Sequence, residues 1–545
     1  MLDPTADSAS FAPAISPGVD GPPTASIQPS RHTDIAADVA RATTWGFAGR
    51  TILLLVNFLS TPFLIRLLGP SAYGIWALIQ TVFLWTGFAE GGMGIATTKY
   101  TSESYALDDA YTEVTVVWSG LLIVSLSTCT VALLASLAAP HLLHALNVQR
   151  FHIPAASSAL RLAAVTFVLS SLALTLNSVQ QARLRWRAYT LLNIATNGLA
   201  SVGAPIAVYL SGDGLQAAAI VGLISAALYA GALAWNSYRA QPLLRRPRIT
   251  LTMLRTLLTY GSALTAAGLI SVPLTTGERF FLSADRSTQQ VAYYAVALTI
   301  ATTLHIIPEQ LIAPLVPALS RLEAEAKLAE HRALYRLTLA AMFTLISPLT
   351  LFIALLARPF LSLWAGPSYG HHSTGLLLIC LVGVWLNSFA WLPWTYFVSS
   401  GNARIIAWVQ LAELVPYLLF AWFATAQWGA IGAAAVWSGR LAIDGIILLS
   451  LTKHLHHLPI LALPTRSVRA LLLLGLLGLT CLGIASITAS LFPRTLLGAT
   501  MLVAYGGALW RFVLTSAERR SLVSLIRRVM PARFCARYQP AHAAR

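Results

Sequence analysis

The chain has 545 residues, of which 57% are hydrophobic and 10% charged, and its formal net charge is +16. No single soluble core could hide so much apolar surface, so the composition excludes an ordinary water-soluble protein and predicts one that lives in a bilayer. A nucleic-acid binder would gather its basic residues on one soluble domain; the sequence offers no such domain, and the positive charge must have another origin.

The first forty residues are rich in Pro, Ala, Ser and Asp and lack a long apolar run, which predicts a disordered leader over 1–43. A secretory signal would need a basic start and an apolar centre. Fourteen apolar stretches then follow, each near the roughly 20 residues that span hydrocarbon. The first six cover 45–68, 73–97, 114–138, 157–180, 189–210 and 215–235. A second six cover 254–276, 291–315, 335–356, 376–398, 405–428 and 430–451, and two more cover 470–492 and 495–514. The predicted fold class is an all-α polytopic membrane protein with about 14 transmembrane helices. Its expected segments are a six-helix unit at 44–236, a second at 237–452, two further helices within 453–514 and a basic tail at 515–545.

The cations explain themselves by position. Alternate gaps carry Arg183, Arg185 and Arg187, then Arg239, Arg245, Arg246 and Arg248, then Arg321, Lys327, Arg332 and Arg336, and finally the tail from Arg519 to Arg537. The other gaps hold fewer, chiefly Arg66, Arg150, Arg279, Arg286, Arg358 and Arg494. Cytoplasmic loops accumulate Arg and Lys, so the bias predicts an inner membrane protein with both termini in the cytoplasm. Two inner segments have amphipathic character: Ser320 to Leu337, and Ala517 to Arg537, where Leu522, Leu525, Ile526 and Val529 lie among arginines in a pattern suited to anionic lipid.

Enzymatic signatures are missing. The longest outer gaps, 139–156 and 357–375, are short for a membrane glycosyltransferase or polymerase, and no phosphate-binding or dinucleotide fingerprint follows a strand. The pairs His371–His372 and His456–His457 fall in expected loops without further ligands, so no metal, cofactor or catalytic residue is expected. The four cysteines, Cys129, Cys380, Cys481 and Cys535, have neither metal spacing nor the look of a disulfide framework.

Transport remains. Ala72-Tyr73-Gly74-Ile75-Trp76-Ala77-Leu78, opening the second helix, recurs as Ala292-Tyr293-Tyr294-Ala295-Val296-Ala297-Leu298, opening the eighth. A repeat of six helices returns the chain to its starting side, so the two units should be related by an axis along the membrane normal.

The run Arg66-Leu67-Leu68-Gly69-Pro70-Ser71-Ala72-Tyr73-Gly74 resembles the RxLGPxxYG signature of bacterial polysaccharide flippases, the Wzx or polysaccharide-transporter branch of the multidrug/oligosaccharidyl-lipid/polysaccharide exporter superfamily. Glu278-Arg279-Phe280-Phe281-Leu282 and the small-residue run from Gly429 to Ala435 are similar to further stretches of these flippases. The resemblance implies two six-helix lobes around a central cavity, and a substrate in which a short oligosaccharide is joined through diphosphate to a polyprenyl lipid. It also implies work alongside a polysaccharide polymerase and export proteins, with membrane lipids as surroundings. A drug or organic-cation antiporter of the same superfamily is the alternative within transport, and a membrane glycosyltransferase or polymerase the alternative outside it.

A polar head group needs a path of buried polar groups, and charges inside spans are the natural candidates because lipid penalises them. Glu90 falls in the second span, Glu309 in the eighth, Glu413 in the eleventh, Arg440 and Asp444 in the twelfth, and Glu278 and Arg279 just past the seventh. Arginine can donate two hydrogen bonds to one phosphate, which selects Arg279 and Arg440 as head-group ligands. Equally available are plainer roles. Arg440 and Asp444 stand four apart on one helical face and can pair; Arg66 and Arg161 sit near outer ends and can snorkel; the glutamates can be ion-coupling sites or partners of neighbouring helices. Pro273, Pro308 and Pro416 mark positions where a span can bend.

Overall fold

The computed structural model describes residues 30–90, 92–183, 185–212, 214–312, 328–400, 402–456 and 490–513, with 315, 472, 474–479 and 483. Most of the thirteenth expected span, the amphipathic stretch 316–327, the tail from 514, His457, Cys481 and Cys535 lie outside the described residues. Every regular element within them is helical. Backbone groups in hydrocarbon must be satisfied inside their own segment, and an apolar chain of this kind does so as helices.

In chain order, the amino-terminal helices are α1 (Ser30–Thr86), α2 (Met93–Ala106), α3 (Ala110–Ala145), α4 (Ile153–Ala182), α5 (Trp186–Ser211) and α6 (Gly214–Ala240). They are followed by α7 (Leu251–Asp285), α8 (Thr288–Thr302), α9 (Ile306–Ile312), α10 (Leu328–Trp364), α11 (Pro367–Ser388), α12 (Trp391–Ser399), α13 (Ala403–Trp428), α14 (Ala430–His456) and α15 (Leu491–Ala508). Ten helical stretches among the described residues are long and apolar enough to cross a membrane. The first of them, Ala48–Thr86, takes in most of the first expected span and the opening half of the second.

Several spans differ in detail from their sequence expectation, each for a local reason. α1 already begins at Ser30, inside the stretch that composition marks as leader. Its continuity is broken at Gly69, where φ is 72° and ψ 168°, a region open essentially to glycine alone. Pro70 then restarts the helix, its missing N–H falling where no helical partner exists. The second span breaks again at a 3-10 turn, Gly87–Glu90, before Gly92 at φ 62° opens α2. In the eighth, Pro308 cannot donate to the ladder, and a 3-10 turn over Thr303–His305 separates α8 from α9. The seventh expected span runs on to Asp285, so Glu278 and Arg279 are interior residues of α7. The outer gaps contract further. α10 ends at Trp364 and α11 starts at Pro367, which brings His371 and His372 into a helix.

Packing defines two groups. α4 packs against α3 and α6, and α5 against α1 and α6; in the second group α11 packs against α8, α10 and α14, and α13 against α7 and α14. Let the near side be where α1 begins and the far side where it breaks. On the far side the groups meet closely. Ser283 Oγ donates to the Leu146 carbonyl at 2.5 Å and Asn147 Nδ2 to the Arg286 carbonyl at 2.9 Å. The repeat-related openings of the second and eighth spans also pack on each other there: Tyr73 lies against the buried Val291–Leu304 core, and a Cβ on Gly74 would stand 1.8 Å from the Thr288 carbonyl oxygen. On the near side, α7 leans its first half on α2 and α3, with Leu257 packed among Met93, Ala96 and Val116, while Arg50 pairs with Glu309 at 2.8 Å.

Two substitutions follow from this backbone. Gly69→Ala forces a side chain into a glycine-only conformation and should cost about 1–3 kcal/mol, read by chemical or thermal unfolding in detergent. Gly231→Ala, in α6 with open space around its Cβ, should be neutral or stabilise by up to about 1 kcal/mol. Equal losses at both positions would contradict the assigned strain.

Candidate functional site

Between and within the groups lie two cavities. The first, of about 560 Å³, is lined by Arg279 of α7, His305 after α8, Asn387 of α11, and Trp437, Arg440 and Asp444 of α14. It extends toward the near side, to Trp394, Gln410 and Leu448. The second, of about 420 Å³, is lined within the amino-terminal group by Gln80, Thr166, Ser170, Asn197 and Ser225 among apolar residues. Leu84 of α1 lines both.

Arg440 is held from two sides. Its Nε donates to Glu413 Oε2 at 3.2 Å and its Nη1 to the Leu274 carbonyl at 3.1 Å, which ties α14 to α13 and α7. The ring of Tyr417 lies 6.0 Å away. Its other Nη donates to nothing among the described residues. The i, i+4 pairing with Asp444 is not the contact made; Asp444 instead accepts from Asn387 Nδ2 at 3.5 Å. Arg279 reaches across the groups, its Nη1 donating to Thr81 Oγ1 at 3.1 Å, and its buried Nε has no partner among the described residues. Beside it, Trp85 Nε1 donates to Thr276 Oγ1 at 2.8 Å and stands edge-on to Phe280.

Glu278 follows a different course from its neighbour. Successive helical residues point about 100° apart, so while Arg279 lines the cavity, Glu278 turns into the core at 0% exposure. There it accepts from Tyr294 Oη at 2.9 Å and Tyr417 Oη at 2.5 Å, joining α7, α8 and α13.

The remaining candidates disperse. Glu90 closes the 3-10 turn that packs against α1, α3 and α7. Glu309 is the partner of Arg50 on the near side. Arg66, exposed on the far side just before the break in α1, donates to the Leu363 carbonyl, and Arg161 Nε donates to the Ser136 carbonyl at 3.4 Å. The structure therefore brings together Arg279, Arg440, Asp444 and, behind Arg440, Glu413. Sequence reasoning passed over His305, Asn387, Gln410 and the tryptophans at 391, 394 and 437. Asn387 and Gln410 carried a usable signal, being amides inside apolar spans; the tryptophans carried none, since interfacial belts use the same residue. Among the described residues no cluster of three metal-ligating side chains occurs.

Residues 63–373 match the model of the family described as polysaccharide biosynthesis protein, and the chain belongs to that family. It is 24% identical over 414 residues, 75% of its own length and 96% of the relative's, to the "Putative O-antigen transporter" of Shigella flexneri. In three dimensions it is similar to the lipid II flippase MurJ in an inward closed conformation, with a TM-score of 0.66 and 15% identity, covering 87% of this chain and 99% of that one. A multidrug resistance MATE family transporter of the MOP superfamily, in an inward-facing conformation, gives a TM-score of 0.66 at 16% identity, with 73% and 93% covered. At such identities these structures establish the fold alone, an all-helical, multi-pass membrane fold like that of MurJ and the MATE transporter.

The Glu278 cluster makes a sharp prediction. Tyr417→Phe removes a donor to a fully buried carboxylate and should destabilise by about 1–3 kcal/mol. In a double-mutant cycle with Glu278→Gln, measured by unfolding in detergent, the two losses should be strongly non-additive; simple additivity would mean that the hydroxyl and carboxylate do not act together.

Proposed function

We propose that this protein turns a polyprenyl-diphosphate-linked oligosaccharide over in the bacterial inner membrane, from a cytoplasmic near side to the far side, for surface polysaccharide synthesis. In this reading 44–236 and 237–452 are two lobes about the central space, and the delivered lipid passes to a polysaccharide polymerase and export proteins. The observation that carries it is the convergence of Arg279 and Arg440 on one cavity from different helices, each with a donor unused by the described residues. A sugar diphosphate cannot cross hydrocarbon unaided, whereas its tail belongs there, so the protein need only offer the head group a polar route. Two guanidiniums suit the diphosphate, and the neutral hydroxyls and amides of the second cavity suit sugar hydroxyls without charge selection. Family membership and the O-antigen relative support the same substrate class.

A second reading has one observation in its favour. The tryptophans at 391, 394 and 437 with Asp444 line a space that an organic cation could occupy by ring-face and carboxylate contacts. Antiport of such a cation would leave surface glycan intact on deletion and raise drug sensitivity.

Deletion should abolish surface polysaccharide and leave the lipid-linked oligosaccharide accessible only from the cytoplasmic leaflet, as read by a membrane-impermeant glycosidase on oriented vesicles. Arg279→Ala and Arg440→Ala, each removing a charged donor to phosphate, should lower turnover roughly ten- to hundredfold at unchanged abundance. Arg440→Lys should recover part of the loss, because the charge survives while the planar fork does not. Normal glycan with the deletion would exclude this function.

A further inference from the structure

A third space, an apolar groove of about 520 Å³, runs between α13 and α14. Val409, Ala412, Pro416, Val436, Gly439 and Ile443 form its walls. On the same two helices Val415, Phe420, Ile443 and Ile446 are all more than half exposed, the surface that lipid covers in a chain spanning a bilayer. Partway along, its wall includes Glu413 and Arg440, whose side chains are 7% and 10% exposed. Arg440 also lines the central cavity. One ion pair is thus the partition between an apolar groove reached from lipid and a polar cavity inside the protein.

Joining two helices does not by itself require such a partition, since well-packed apolar residues of similar volume serve as well as a buried pair or better. An apolar groove that shares an arginine with a cavity holding a second arginine matches an amphiphile with an anionic head and a hydrocarbon chain. The three spaces also stand in series. A cavity of neutral hydroxyls and amides meets the arginine cavity at Leu84, and the arginine cavity meets the groove at Arg440. Saccharide, diphosphate and tail come in that order along one molecule, whereas a membrane phospholipid has nothing to fill the first space.

Resting on the function proposed above, we infer that the α13–α14 groove seats the first isoprene units of the substrate's tail while its diphosphate lies at Arg440. Bilayer chains are as apolar as the groove, so seating adds little affinity. Its effect is positional: it fixes the direction from which the head group enters the cavity.

Photolabelling of the full chain tests this in vesicles of phosphatidylethanolamine and phosphatidylglycerol. The probe is a long-chain polyprenyl diphosphate carrying one acetamido sugar, with a diazirine in its first isoprene units. Label is expected on 409–416 and 436–447, displaced by the unlabelled compound and not by added phosphatidylglycerol. A Cβ at Gly439 meets no atom within 4 Å, so Gly439→Phe should fold, fill the groove and reduce that label about tenfold. Displacement by phosphatidylglycerol to the same extent would mean bulk lipid fills the groove and overturns the inference. Specific label elsewhere, with none in the groove, overturns it while leaving the flippase reading intact. Absence of any displaceable label on wild type, together with absence of turnover, defeats the substrate reading itself.

Discussion

A guanidinium inside an apolar bundle must be met on its donor edges, and Arg440 is met by Glu413 on one side and the Leu274 carbonyl on another. Left alone it would be costly in hydrocarbon; held this way it joins α14 to α13 and α7 and still presents an edge to the cavity. Much of the second group is arranged by that demand. α7 cannot shift along α14 without breaking a charged hydrogen bond, and Glu278, on the next turn of α7, locks the same helix to α8 and α13 through two tyrosines. The cavity therefore has rigid walls where its charges lie.

The two faces of the molecule are closed by different physics. On the far side the seal is backbone and small-residue contact: Ser283 to Leu146, Asn147 to Arg286, and Gly74 against the Thr288 carbonyl. Such contacts are short-ranged and are lost together when the groups separate. On the near side the group-to-group contacts include the Arg50–Glu309 pair, exposed on the arginine side and hence weak in water.

Family membership and fold agree with this arrangement at the level of class, and the chemistry of the spaces refines it. Neutral polar groups are among the lining of one cavity, Arg279 and Arg440 of the next, and hydrocarbon lines most of the groove beyond.

Composition and the alternation of basic gaps were enough to read an all-helical membrane protein from the sequence, because the cost of burying unpaired backbone and charge in lipid acts on every residue independently of its partners. The gap left between the first two expected spans, 45–68 and 73–97, coincides with the break at Gly69, since a glycine followed by a proline is a local demand. Partnership was a different matter. Spacing alone offered Asp444 to Arg440, and the chain chose Glu413 from another helix; it placed Glu278 beside Arg279, and a rotation of about 100° per residue sent one to the core and the other to the cavity. Which charges meet depends on how helices far apart in sequence cross. Crossing is set by contacts such as the close approach of Gly74 to the Thr288 backbone, which no single span encodes, and so the site belongs to the tertiary structure alone.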